Sequence, residues 1–127
     1  MTGASQNPRM LIVDDDDVDR EYLRRLLRRA DAQVEIVEAT DLSSALQHLK
    51  EGRVFDCVFL DSRLPDGEGV DLVDRFANTS NVVFLSGSDD QTVNNEALQR
   101  GATACFGKGS VTLKILNQTI GLNSRGG

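Results

Sequence analysis

Short apolar runs that stop on small or charged residues alternate along this chain with amphipathic stretches. That rhythm limits the fold more than any single residue does. Met10-Leu-Ile-Val13 breaks into Asp14-Asp-Asp-Asp17, and Val34-Glu-Ile-Val37 follows as a half-exposed run. Val58-Phe59-Leu60 ends on Asp61, Asn81-Val-Val-Phe-Leu85 on Ser86-Gly87, and Thr103-Ala-Cys-Phe106 on Gly107-Lys108-Gly109. Such runs, rich in β-branched and aromatic residues, suit the strands of a parallel sheet covered on both faces. Between them, apolar residues recur at helical spacing: Tyr22, Leu23, Leu26, Leu27 and Ala30, then Leu42, Ala45, Leu46 and Leu49. Val70–Phe76, a stretch from Asp89 or Asp90 to about Arg100, and one bearing Leu113, Leu116 and Ile120 complete the series. One or two of the four acids Asp14–Asp17 can cap the first helix, Asp41 or Ser43 the second and Ser110 the last, while Gly52 and Gly101 are stops. The crossovers are long enough for parallel pairing. The pattern predicts a three-layer α/β domain with helices on both faces of the sheet.

Length and charge narrow the function classes. At 127 residues the chain holds one domain with a real core. We expect that domain over residues 10–122, with residues 1–9 as a disordered lead-in and 123–127 as a disordered tail. A net charge of −6 argues against direct nucleic-acid binding. No apolar stretch reaches membrane-spanning length and no secretory signal is visible, so a cytoplasmic protein without membrane contact is expected. Cys57 and Cys105 lie in strand-like runs without metal-ligand spacing and read as reduced core cysteines. His48, the single histidine, is expected on the solvated surface.

The chemistry-bearing residues stand at the carboxyl ends of the expected strands, where open α/β sheets build their sites. Asp14 and Asp15 follow the first, Asp61 the third, Ser86 the fourth and Lys108 the fifth. Three clustered carboxylates repel one another unless a cation joins them, and oxygen-only ligands favour a hard ion, Mg²⁺ foremost. Lys108 and the Ser86 hydroxyl suit an anion beside that ion, such as a phosphoryl group. Asp61, between the two, would be the nucleophile that forms an aspartyl phosphate. Taken singly, each position has a plainer explanation: a solvated capping loop for Asp14–Asp17, an ordinary strand exit for Asp61. Their joint placement carries the inference.

Leu11-Ile-Val-Asp-Asp-Asp16, Leu60-Asp-Ser-Arg-Leu-Pro-Asp-Gly67 and Gly101-Ala…Lys108 resemble the receiver domain of two-component response regulators, from about Met10 to Leu122. The resemblance implies a doubly wound, flavodoxin-like sheet of five parallel strands in the order 2-1-3-4-5. It implies Asp61 as phosphoacceptor, with Mg²⁺ (or Mn²⁺) held by Asp15, Asp61 and the Arg63 backbone carbonyl, and by Asp14 mainly through water. Ser86, with Gly87 beside it, takes the switch-hydroxyl position, and Lys108 is the cation paired with acceptor or phosphoryl group. The implied partner is a sensor histidine kinase or histidine phosphotransfer protein, met through the first helix, where Arg20, Arg24 and Arg28 form a candidate docking face. A downstream protein target is the further partner, and no enzymatic activity beyond self-phosphorylation and autodephosphorylation is implied.

Two positions depart from the family pattern. Cys105 stands where the signalling aromatic usually does, and Phe106, one place later, should face the opposite side of the strand. Gly109 replaces the proline that usually follows the lysine. Two rival readings remain open on the residues alone. Asp14-x-Asp16 resembles the nucleophile motif of haloacid-dehalogenase phosphohydrolases, although that leaves Asp61 without a task. A receiver kept only as a protein-binding module is the other.

Overall fold

The computed structural model describes residues 7–87 and 91–119. Five parallel strands form the main sheet: β1 (Arg9–Val13), β2 (Glu35–Ala39), β3 (Cys57–Asp61), β6 (Asn81–Ser86) and β7 (Ala104–Gly107). Between β3 and β6, a hairpin too short to show in the apolar pattern pairs β4 (Arg63–Leu64) with β5 (Gly67–Glu68). The sheet order is β2-β1-β3-β6-β7, the expected arrangement once the hairpin is set aside. Order reverses between β1 and β3, so the crevice of a doubly wound sheet opens beyond Val13 and Asp61.

Alternation along the buried strands sorts the core into two layers. Leu11, Val13, Val58, Leu60 and Phe84 pack with α2 (Leu42–Lys50), α3 (Val70–Phe76) and α4 (Gln91–Gln99). Met10, Ile12, Phe59, Val83 and Leu85 pack with α1 (Asp17–Ala30) and α5 (Leu113–Thr119). All five β3 residues are buried, as a central strand covered on both faces requires.

Several expected details shift. Arg9, expected in the lead-in, opens β1, and Pro8 O accepts a hydrogen bond from Glu35 N at 2.8 Å. The second strand runs Glu35–Ala39 rather than 34–37, because its register is set by pairing with β1. His48 is half-buried rather than solvated. Its ring meets the Phe55 ring edge-on at 6.1 Å, since the chain folds back under α2 before entering β3. Ser110 does not cap the last helix: Lys108–Ser110 form a 3-10 turn, and Thr112 Oγ1 accepts from Ile115 N at 3.3 Å instead. The expected helix start at Asp89 or Asp90, Ile120 and the tail from 123 lie outside the described residues.

The N-terminus of α2 is held from two sides. Asp41 and Ser44 form a capping box, and their side-chain hydrogen bond holds the Asp41 carboxyl below its ordinary range. Asp66, from the hairpin, accepts from Leu42 N at 2.8 Å and from Ser43 N at 3.1 Å. One carboxylate thus satisfies two first-turn donors and faces the positive end of the helix dipole. Asp66→Ala should lower unfolding stability in urea by about 1–2 kcal/mol, and Asp66→Asn by less.

Candidate functional site

Sheet register assembles the site. Val13 stands opposite Leu60, so the next residues, Asp14 and Asp61, emerge side by side. Asp61 is paired with Leu85 and Ser86 with Gly107, which brings Ser86 and Lys108 to the same edge. Asp14 N donates to Ala39 O at 3.0 Å and Ser62 N to Leu85 O at 2.8 Å, so the ladder holds the backbone beside both acids.

The four consecutive acids divide their work. Asp14 is buried, and its Oδ1 accepts from Asp16 N at 2.9 Å. Asp15 is exposed and faces the crevice. Asp16 caps α1, its Oδ1 accepting from Val18 N at 2.8 Å and Asp19 N at 3.3 Å. Asp17 bonds Arg20. Because Asp16 is engaged as a cap, the Asp14-x-Asp16 phosphohydrolase reading lacks its second acid.

Carboxylate oxygens of Asp14, Asp15 and Asp61 all lie within 4.8 Å of one another, a spacing that a single divalent cation can span. An oxygen-only set of this charge suits a hard ion. Asp61 is buried and its Oδ1 accepts from Arg63 N at 3.3 Å. Burial, then the Asp14 charge, pushes its carboxyl up to about 6, against the opposing pull of Lys108. The Lys108 Nζ donates to Asp61 Oδ2 at 3.1 Å and to Asp19 Oδ2 at 2.8 Å. It lies 3.0 Å from Asp14 Oδ2 as an ion pair without hydrogen-bond geometry. Burial works against the lysine charge, yet the neighbouring carboxylates of Asp19, Asp14 and Asp61 outweigh it and hold Lys108 above its ordinary pKa.

Asp15, Asp61, Arg63, Gly87 and Lys108 line an open depression of about 610 Å³, large enough for a phosphoryl group and part of its donor. Arg63 is exposed at the edge of that depression. Ser86 is buried at the end of β6, one residue inside the rim formed by Gly87.

The predicted readout and docking residues are less uniform. Cys105 packs toward α4, with Sγ 3.5 Å from Asn94 O, and burial pushes its thiol pKa up. Phe106 packs on the opposite face against the α1–α5 layer, as its place in the strand requires. Gly109 follows Lys108 through a trans peptide. Arg20 is not a free docking cation: its side chain is 12% exposed and bonds Glu38, Asp17 and the Asp14 carbonyl oxygen. Arg24 pairs with the same Glu38, whereas Arg28 is exposed on the last turn of α1.

Asp19 and Asp66 were not singled out from the sequence. Asp19 carried no signal of its own: it stands in the first turn of α1, and only the packing of that helix brings it to Lys108. Among the described residues no helix is long and apolar enough to cross a membrane.

Comparison with known proteins agrees with this fold. The family model described as the response regulator receiver domain matches residues 10–119. The stress response regulator protein 1 of Meyerozyma guilliermondii is 39% identical over 77 residues, covering 61% of this chain and 35% of that protein. The sensory transduction protein LytR of Staphylococcus epidermidis is 33% identical over 96 residues, covering 73% and 37%. The chain therefore spans little more than a third of either relative. A Burkholderia pseudomallei response regulator, crystallised with a phosphorylated aspartic acid, calcium and citrate, superposes with a TM-score of 0.77. It is 22% identical, with 89% of this chain and 66% of that one covered. Five parallel strands in doubly wound order, acids and a lysine at one sheet edge, and a family match across that span lead to one conclusion: the chain belongs to the response regulator receiver domain family of two-component signalling.

Proposed function

We propose that this domain accepts a phosphoryl group on Asp61, in the presence of Mg²⁺, from the phosphohistidine of a sensor histidine kinase or histidine phosphotransfer protein. One observation carries the reading: a buried carboxylate at the floor of an open depression, with two further acids and a lysine converging on it. In the transfer, an Asp61 oxygen forms a bond to phosphorus as the phosphorus–nitrogen bond of the donor breaks. The leaving imidazole keeps the electron pair and takes up a proton. Lys108 offsets charge on the acceptor and the transferred oxygens, and the ladder beneath Asp61 keeps its carboxylate in line. Asp14, Asp15, Asp61 and the Arg63 carbonyl are the residues we assign to the cation, which would neutralise the phosphoryl oxygens when bound. The Burkholderia protein, with its phosphorylated aspartic acid and calcium, is in keeping with a divalent cation beside a phosphoaspartate.

Ser86 is our candidate switch hydroxyl, shifting toward the phosphoryl group, with Gly87 giving its loop freedom to follow. Because Cys105 is small and lies against α4, the response on that face would travel through α4 packing rather than a swinging ring. A downstream protein would read this surface. For the upstream partner we favour α1, where Val18 is 73% and Tyr22 47% exposed and form a shallow groove with Glu21 and Arg25. Arg28 is exposed on the last turn of the same helix, while Arg24 turns to Glu38 and Arg20 braces the acidic loop from within.

A pH dependence follows. The cation competes with a proton for Asp61, whose pKa is raised to about 6 without it. Mg²⁺ affinity should fall as pH drops through about 6, and Asp61→Asn should flatten that part of the profile. Calorimetric titration at several pH values checks both.

The reading is tested by incubating the protein with Mg²⁺ and acetyl phosphate, or with a phosphorylated phosphotransfer protein, and measuring intact mass. Wild type should gain one labile phosphoryl group and Asp61→Asn none. Steady hydrolysis of a phosphate ester that is lost in Asp14→Asn but survives Asp61→Asn would overturn it.

A further inference from the structure

The α1 helix grips the Lys108 segment at two points. Asp19 Oδ2 lies 2.8 Å from Lys108 Nζ, closer than Asp61 Oδ2 at 3.1 Å. Three residues along the same helix face, the Tyr22 hydroxyl donates to Val111 O at 2.7 Å, fixing the chain just after the Lys108 turn. An ammonium group has three N–H donors. Here Asp19 and Asp61 take hydrogen bonds and Asp14 Oδ2 faces the group at 3.0 Å, so all three directions meet carboxylates. A phosphoryl oxygen arriving at Asp61 can receive an N–H from Lys108 only when one of these contacts gives way. Asp14 and Asp61 side chains are 2% and 6% exposed, whereas Asp19 is 37% exposed, so water can replace the lysine there at least cost.

We propose that Asp19 is a positioning residue that competes with the phosphoryl group for Lys108, holding the lysine toward α1 and slowing phosphoryl transfer to Asp61. The proposal rests on the phosphoacceptor reading above. It also ties α1, the candidate docking helix, to the reacting centre, since a partner that draws Asp19 away would free the lysine.

The test measures the rate constant of adduct formation from acetyl phosphate or phosphoramidate at saturating Mg²⁺, for wild type, Asp19→Asn and Asp19→Glu. Asp19→Asn should be phosphorylated about three- to ten-fold faster, the size of one charged contact. Asp19→Glu, which keeps the charge, should stay within about twofold of wild type. A structural lesion lowers such a rate and does not raise it, so a gain identifies competition. Equal rates in all three proteins overturn the proposal and leave the phosphoacceptor reading standing. A slower Asp19→Asn restored by Asp19→Glu also overturns it, by showing that Asp19 supports the lysine. If neither wild type nor Asp19→Asn gains an adduct from any donor, the phosphoacceptor reading fails and the proposal falls with it.

Discussion

Asp61→Asn should abolish the phosphoryl adduct and, without divalent ions, make the domain more stable. The amide cannot attack phosphorus, and it also removes a buried negative charge beside Asp14. The sign follows from linkage. Asp61 has a folded-state pKa of about 6 against an ordinary 3.8. Below about pH 3 the carboxyl is protonated in both folded and unfolded chains, and it makes no difference. Between there and about pH 6 the folded state holds a proton that the unfolded chain has released, so wild-type stability falls as pH rises. Above about pH 6 the penalty is complete, on the order of 2–3 kcal/mol. Thermal unfolding at pH 7.5 should then show Asp61→Asn melting roughly 5–10 °C higher. The gap should close toward pH 4, and shrink at pH 7.5 when Mg²⁺ stabilises the wild type. Equal melting temperatures at both pH values would show that the three acids do not strain the fold. On the proposed reading, Asp61 gives up stability for function.

Gly69→Ala should be the most destabilising single-methyl change in the described domain. A Cβ at Gly69 would lie 1.9 Å from the Asp61 carbonyl oxygen and 2.9 Å from its carbonyl carbon. Both are backbone atoms of the central strand, which is paired on both sides and cannot withdraw. The alternative, moving Gly69, breaks its N–H bond to Ser62 O at 2.9 Å and shifts the start of α3. A loss of about 3 kcal/mol or more is expected in urea unfolding. Phosphoryl acceptance should fall as well, because the displaced atoms belong to Asp61, the proposed acceptor. Gly109→Ala is the control: nothing lies within 4 Å of its added methyl, so stability should change by less than about 0.5 kcal/mol.

Strand ends were legible because burial on both faces leaves a continuous apolar signature, and a carboxylate that interrupts it is conspicuous. Asp14, Asp15, Asp61, Ser86 and Lys108 could be collected at one edge from parallel alternation alone, and the folded chain brings them there. The β4–β5 hairpin was not legible, since two-residue strands carry no period. The cap of α5 was misplaced by two residues because a 3-10 turn intervenes, and its geometry depends on where Lys108 must reach.

The acidic run Asp14–Asp17 marks the boundary between the two kinds of information. Sequence determined that these acids sit between a buried strand and an amphipathic helix, and that one or two of them would cap. It also determined that Asp61 stands at the end of the central strand, and that Cys105 and Phe106 face opposite ways. Only the tertiary structure decided that Asp14 turns inward, Asp15 faces the crevice, Asp16 caps and Asp17 pairs with Arg20. It alone brought Asp19 to Lys108 across 89 residues and withdrew Arg20 from the docking face. The physical reason is that backbone pattern is a local property, set by burial and period. The task of a charged side chain depends on which opposite charge the packed helices bring within about 3 Å.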